Sequence, residues 1–233
     1  MTTVDKPLRL GELLAETIRV YGERLWPSLG IGLLAALGFV IAFAVPDVAA
    51  IVIIAATFTA CYAAATRLVA GDRFAESLAQ VVLRGTVLVV LTLVVAVPFA
   101  LGIFARAGDP LARLIFLLFA VAWLVFVGFS IPASMTERLE APSWFSRLGH
   151  ALQRSVELAR AEFFHAVGIT AALVLIYGLL GPLLASLLVG FGENGRDVAF
   201  VLSQIVLAPF FFLGLAVLYF EQSARALSSL GRS

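Results

Sequence analysis

The sequence predicts an all-α integral membrane protein with six transmembrane helices arranged as three hairpins. Three observations lead to this fold class. The chain is 62% hydrophobic and only 13% charged, whereas a soluble domain carries about 25% charged residues. Long uncharged stretches recur along the sequence, and the arginines fall between them in an alternating pattern. Because a surface that faces hydrocarbon needs no charge, residues 1–233 are expected to form a single membrane domain.

The first uncharged stretch predicts two helices. Residues 28–66 contain one charged residue, Asp47. A helix that crosses a hydrocarbon core of about 30 Å needs roughly 20 apolar residues, so this stretch fits two short helices. Pro46 and Asp47 favour a turn between them, which places the helices at 28–45 and 48–66.

The remaining uncharged stretches predict four more helices. These are expected at 85–105, 114–135, 163–189 and 198–220. Residues 106–110 read Arg-Ala-Gly-Asp-Pro, and residues 192–197 read Gly-Glu-Asn-Gly-Arg-Asp. Both segments are rich in turn-forming residues, so they are predicted to be loops.

The distribution of Lys and Arg predicts the orientation. Four segments are rich in these residues: 1–27 holds four, 67–84 three, 136–162 four and 221–233 two. The three connections between them hold none, two and one. Thirteen basic residues therefore lie on one side and three on the other. Since positive residues stay cytoplasmic, we expect a multi-pass protein with both termini in the cytoplasm.

An amphipathic helix is predicted before three of the transmembrane segments. Residues 8–26 place apolar side chains on one helical face and charged side chains on the other. The stretch that begins with Arg147-Leu148-Gly149 aligns without a gap with the one that begins with Arg9-Leu10-Gly11, and residues 73–82 give a weaker third copy. The predicted repeat units cover about 8–66, 73–135 and 143–220. The alternative is that amphipathic helices resemble one another by composition alone.

These amphipathic helices have two interpretations, which can hold together. Their apolar faces can lie in the acyl boundary with arginines near lipid headgroups, or they can pack on the cytoplasmic ends of the bundle. Membrane lipids are therefore expected partners. A net charge of +1 gives no basic field for nucleic acid.

The predicted spans offer little chemistry, because they contain no Asp, Glu, Lys or Arg in their interiors. A charge at mid-bilayer costs at least about 2.5–3.5 kcal/mol and is kept only for function, so this absence argues against ion-coupled transport. The polar candidates, expected to pair between helices or to line a small cavity, are Gln204, Ser203, Thr57, Thr59, Thr66, Ser130, Ser134, Thr170 and Tyr177. Rows of small residues (Ala56, Ala60, Ala64 and Ala55, Thr59, Ala63) predict that the second helix is central and buried.

Four prolines lie inside predicted spans: Pro98, Pro132, Pro182 and Pro209. Proline kinks helices, which either shapes a bundle or marks a transport site. No catalytic, cofactor-binding or metal-ligating residue is predicted, and no cofactor. His150 and His165 are fifteen residues apart and Cys61 lies within a span. An enzyme that uses interfacial acids or His165 is the least favoured reading.

Three stretches, at 8–30, 147–164 and 204–220, carry a family resemblance. Together they resemble the membrane domain found with some glycerophosphoryl diester phosphodiesterases and related stand-alone bacterial membrane proteins of unknown function. The resemblance implies a bacterial cytoplasmic membrane. Family members often end the last helix with an aromatic pair, an acid and a nearby Arg. Here Glu221 follows Tyr219-Phe220, but Arg225 comes later. The phosphodiesterase barrel has no counterpart in this sequence, so no catalytic residue is implied.

Two functional hypotheses follow. The first is a non-catalytic membrane module that serves as a scaffold, as a subunit of a membrane-protein partner or of a homo-oligomer, or as a lipid-interacting domain. The second is a small transporter or permease subunit for an uncharged or lipidic substrate. The second predicts a water-reachable cavity near Pro98, Pro182 and Gln204.

Overall fold

The computed structural model describes residues 9–106, 110–137, 144–188 and 195–230, and in these ranges the chain is all-helical without any strand. The helices are α1 Leu10–Glu23, α2 Leu25–Phe43, α3 Asp47–Val69, α4 Phe74–Leu83, α5 Gly85–Arg106, α6 Pro110–Gly128, α7 Ser130–Thr136, α8 Trp144–Ala161, α9 Phe163–Leu188 and α10 Gly195–Leu230. Five candidate membrane spans are long and apolar enough to cross a bilayer, and a sixth results if the bent pair α4–α5 counts as one. The all-helical prediction is confirmed, and the apolar helices suggest a multi-pass membrane protein. The predicted loops at 106–110 and 192–197 lie partly outside the described residues.

A short helix meets a long apolar helix across a single residue at three places. Arg24 separates α1 from α2, Arg84 separates α4 from α5, and Glu162 separates α8 from α9. The chain bends by 83° between α4 and α5. The three short helices α1, α4 and α8, called the lead-in helices, are thus each one residue away from their apolar helix.

Each lead-in helix buries a residue at the equivalent position of the sequence alignment. Leu13, Ser77 and Ala151 are all fully buried. Other apolar side chains on the same helices, such as Ile18 and Phe145, are exposed. One face of each lead-in helix therefore packs on the protein, and apolar groups remain on its outside.

The helix predicted at 114–135 has a one-residue interruption, although Leu118–Thr136 still forms one candidate span. Helix α6 ends at Gly128, and α7 begins at Ser130 after a turn at Phe129. Pro132 explains the break, because its ring clashes with the carbonyl of the residue four positions earlier and it has no N–H to donate. Beside the break, the Ser155 hydroxyl donates to the Phe126 carbonyl at 2.7 Å and joins α8 to α6.

Helix α10 is longer and more central than the sequence predicts. The helix expected at 198–220 continues to Leu230, and its candidate span, Val198–Leu227, includes Glu221 and Arg225. The predicted span 198–220 itself holds no charged residue, and Glu221 and Arg225 lie in the extension beyond it. In the candidate span of α10, 67% of the residues are buried inside the protein, whereas the corresponding share for α3 is 39%.

Helix α3, predicted to be the central helix, is buried all round only in its second half. Every residue from Cys61 to Thr66 is buried, whereas Ala56, in one of the predicted small-residue rows, is exposed. The other row, with Ala55, Thr59 and Ala63, is buried throughout. Helices α3 and α10 pack against each other and together form the core.

Helix α2 packs closely on α10 at the Ile205 carbonyl. This carbonyl has no hydrogen-bond donor within its own helix, because residue 209 is a proline. Pro209 has no N–H for the carbonyl of Ile205, four residues earlier. Gly32 lies directly against this oxygen, and a Cβ at Gly32 would overlap it. Only glycine therefore lets the two backbones come this close.

We predict that Gly32→Ala lowers the free energy of unfolding by about 1–3 kcal/mol, the usual cost of overpacking a dense core. Gly168→Ala is the matched control, since a Cβ at Gly168 in α9 meets nothing within 4 Å. This control should leave stability unchanged or raise it by up to about 1 kcal/mol. Reversible unfolding in mixed micelles measures both. Equal effects of the two variants would contradict the close contact.

Candidate functional site

An apolar cavity of about 230 Å³ lies among α2, α3, α5, α6, α9 and α10. Its walls include Phe39, Phe58, Val95 and Val174, and nearly all of its lining atoms are apolar. The lining residues of α2, α5 and α9 each come about twelve residues after the start of their helix. At 1.5 Å per residue this depth is ~18 Å, near the middle of a hydrocarbon core of about 30 Å.

Pro98 and Trp123 together form one wall of this cavity. Because Pro98 has no N–H, the Val94 carbonyl loses its helical donor. The Trp123 indole N–H donates to that carbonyl at 3.2 Å. This hydrogen bond satisfies the carbonyl, joins α6 to α5, and holds the indole ring at the cavity wall.

Tyr177 and Gln204, two of the predicted polar candidates, meet at the opposite side. The Tyr177 hydroxyl donates to the side-chain oxygen of Gln204 and connects α9 to α10. Tyr177 lines the cavity and Gln204 is buried. Pro182, by contrast, is exposed on α9 and is not part of the lining. The predicted cavity near Pro98 is present, but its apolar lining suits an apolar occupant better than water.

Most of the other polar candidates bond to their own helix. Five hydroxyls donate to a carbonyl three or four residues earlier: those of Thr59, Thr66, Ser130, Ser134 and Ser203. The expectation that these groups pair between helices is therefore wrong, because a helical Ser or Thr reaches its own backbone first. Thr57 lines the cavity and Thr170 is buried.

Sequence analysis missed two other bonds that cross between helices. The Tyr62 hydroxyl donates to the Leu215 carbonyl at 3.2 Å, and the Tyr219 hydroxyl lies 2.9 Å from that of Thr136. Both tyrosines are buried. Buried Tyr hydroxyls usually find a partner, so a tyrosine inside a span was the available signal.

A charged cluster surrounds the end of α10. Glu221 is 1% exposed and accepts hydrogen bonds from Arg225 and Gln222. Arg225 also bonds to Glu162, and its guanidinium lies 3.0 Å from His165 Nε2. Buried charges persist when they are paired, so this cluster joins α9 to α10 and Glu221 is neutralised. The i, i+4 spacing of Glu221 and Arg225 is the feature of the sequence that indicates an ion pair on one helix.

The other residues that could carry chemistry, His150 and Cys61, do not come together in a site. His150 is exposed, and its Nδ1 lies 2.7 Å from the Ser146 carbonyl. Cys61 is buried against the Ile31 carbonyl. Among the described residues, no group of three His, Cys, Asp or Glu side chains could hold a metal ion.

We predict that Trp123→Phe destabilises the protein by about 1 kcal/mol, the net value of one hydrogen bond. In a Pro98→Ala background the loss should be clearly smaller, because residue 98 then supplies the helical N–H to the Val94 carbonyl. A double-mutant cycle on unfolding free energies measures this coupling. Full additivity of the two changes would contradict the assigned role of Trp123.

Comparison with known protein families, curated proteins and solved structures gives no match for this chain. The resemblance to the phosphodiesterase-associated membrane domain remains a prediction. The cavity and the charged cluster are therefore the basis for assigning a function.

Proposed function

We propose that this protein is a non-catalytic, lipid-interacting membrane module whose cavity takes an apolar chain from the surrounding bilayer. The apolar cavity within the candidate spans carries this proposal. Empty space in a packed interior forfeits dispersion contacts. A dry apolar cavity of about 150 Å³ already binds benzene or xenon, so 230 Å³ offers room for a segment of an acyl chain.

The proposed architecture has six spans in three hairpins, α2–α3, α5–α7 and α9–α10, each preceded by its lead-in helix. The three junction residues support it, since each contacts the returning end of its own hairpin. Arg24 donates to the Asp72 carbonyl at 2.8 Å just beyond α3, and Arg84 donates to the Ser134 carbonyl in α7. Glu162 accepts from Arg225 in α10. A contact between the junction residue and the returning end of its hairpin thus recurs, with a backbone carbonyl as partner in the first two hairpins and an arginine side chain in the third.

The proposed location is a bacterial cytoplasmic membrane, with both termini and all three lead-in helices on the cytoplasmic side. The excess of basic residues in these segments supports this orientation. A scaffold role, or association with a membrane-protein partner or a second copy, is compatible with it.

We predict opposite accessibility for cysteines placed in the α2–α3 turn and in α4. Ala44→Cys and Ala75→Cys, each in a Cys61→Ala background, replace exposed residues. A membrane-impermeant maleimide should label position 44 from outside intact spheroplasts and position 75 only in inside-out vesicles. Labelling of both positions from the same side would contradict the hairpin.

We predict that a phosphatidylcholine with a mid-chain diazirine crosslinks to cavity residues such as Phe58 and Tyr177 in nanodiscs. Ala120→Trp fills the cavity and should abolish these adducts. Leu118→Trp is the control, because Leu118 is on the same helix but is 62% exposed. Mass spectrometry locates the adducts. Wild-type adducts confined to outward residues such as Leu179 would contradict the proposal.

The second candidate is a transporter of an uncharged or lipidic substrate, favoured by the proline at the cavity wall. It requires that the cavity open alternately to both sides. Purified protein in phosphatidylcholine vesicles should then speed the exchange of labelled lipid between leaflets, and Ala120→Trp should stop it. Chain crosslinking without exchange would favour the static module.

A further inference from the structure

We infer that the lead-in helix α4 lies along the membrane surface and inserts one apolar side into the acyl chains of the adjacent leaflet. This side is formed near the end of the helix by three exposed residues, called the outer apolar face: Ala79, Val82 and Leu83. Helix α4 is thus a docking surface whose partner is a lipid leaflet. The inference goes beyond the cavity, and it rests on the proposed crossing of the membrane by α5.

Helix α4 adds almost nothing to the depth that α5 reaches. The chain bends by 83° between the two helices. Helix α5 has 22 residues, and at 1.5 Å per residue they span ~33 Å, enough for a hydrocarbon core of about 30 Å. At this bend the 10 residues of α4 extend the pair by only ~2 Å along the axis of α5. A bilayer that α5 crosses therefore has α4 along its surface.

The surface of α4 divides into three sides. One side packs on the protein through four residues: Phe74, Ser77, Leu78 and Val81. The outer apolar face is a second side, because positions 79, 82 and 83 have the i, i+3, i+4 spacing of one helical face. Glu76 and Gln80 lie on the remaining side. Protein, hydrocarbon and water surround a helix at a membrane interface, and the three sides match these surroundings.

Protein contacts at both ends of α4 fix the direction of the outer apolar face. At the first residue, the Phe74 ring lies against Gly30 of α2, where a Cβ would come within 2.7 Å of the ring. Directly after the last residue, Arg84 donates to the Ser134 carbonyl in α7. Ser77 is fully buried between these two contacts. Because the helix is held on its inner side, it cannot rotate to bury the outer apolar face.

Exposed apolar side chains continue from α4 into α5. Val82 and Leu83 are more than three-quarters exposed, and Val89 and Leu93 of α5 are more than half exposed. Apolar surface that stays in water costs roughly 25 cal/mol for each Å². A leaflet that surrounds α5 removes both sets of side chains from water. This continuity favours lipid as the partner of the outer apolar face.

Helix α1 repeats the arrangement at aligned positions. Ala15 and Ile18 align with residues 79 and 82, and both are exposed. Arg19 stands where α4 has residue 83, so the apolar side of α1 is narrower. Trp26, at the start of α2, is 82% exposed, and tryptophan is enriched at membrane–water interfaces. A shared position at the membrane surface accounts for both helices.

The test measures the depth of single nitroxide labels on the full-length protein in phosphatidylcholine nanodiscs, in a Cys61→Ala background. Val82→Cys labels the outer apolar face, with Leu83→Cys as a second position. Gln80→Cys, on the polar side of the same turn, is the matched control. Collisions with oxygen and with a nickel chelate report depth. Labels at 82 and 83 should lie about 5–10 Å into the headgroup–acyl boundary, whereas the label at 80 should remain in water. Leu93→Cys on α5 should lie deeper than all three.

Equal depths at positions 80 and 82 would overturn the inference. If both lie in water, the face is not inserted, and if both lie in hydrocarbon, α4 is part of a broken span. Spin–spin broadening at position 82 that disappears on dilution with unlabelled protein would also overturn it, because a second copy would then cover the face. Position 93 in hydrocarbon with position 82 in water refutes this inference alone. Position 93 in water refutes the proposed architecture as well, and neither result depends on crosslinking in the cavity.

Discussion

Every backbone carbonyl that proline leaves without a donor inside these apolar helices must be accommodated by protein, because lipid tails offer no hydrogen bond. Two of these carbonyls lie against another helix, and one of the two gains a side-chain donor. The Trp123 indole bonds the Val94 carbonyl released by Pro98. At Ile205, released by Pro209, α2 comes into close contact through Gly32. Two prolines thus lie where helices approach closely, α6 against α5 at Pro98 and α2 against α10 at Pro209.

The same constraint shapes the cavity. The bond to Val94 holds Trp123 at the wall formed with Pro98, and the Tyr177–Gln204 pair satisfies the polar atoms opposite. What remains is a partly open cavity with an almost wholly apolar surface. The paired charges of Glu221 and Arg225 lie toward the end of α10 and are not part of this lining. An apolar cavity of this kind suits the acyl chain of a lipid.

Periodicity and hydropathy were sufficient to predict helices and their approximate limits, since those depend on local sequence. These two patterns do not predict features that depend on residues far away in the sequence. The extension of α10 through Glu221 requires Arg225 and Glu162 on neighbouring turns and helices, and residue hydropathy alone ends the span at Phe220. The one-residue interruption at Phe129 follows from Pro132, which the sequence displays, but a helix can also continue through a proline, as α5 does at Pro98. The cavity could not be located in advance, because a void depends on the mutual positions of six helices.

The central claim is that an acyl chain of the bilayer occupies the cavity between Trp123 and Tyr177. A crystal structure grown in a lipidic mesophase, at a resolution that shows ordered lipid, measures this most directly. The account predicts elongated density in the cavity, in contact with both rings and without ordered water. A cavity that is closed by repacking of α5 against α9, or that is filled by a chain of water molecules, would contradict it.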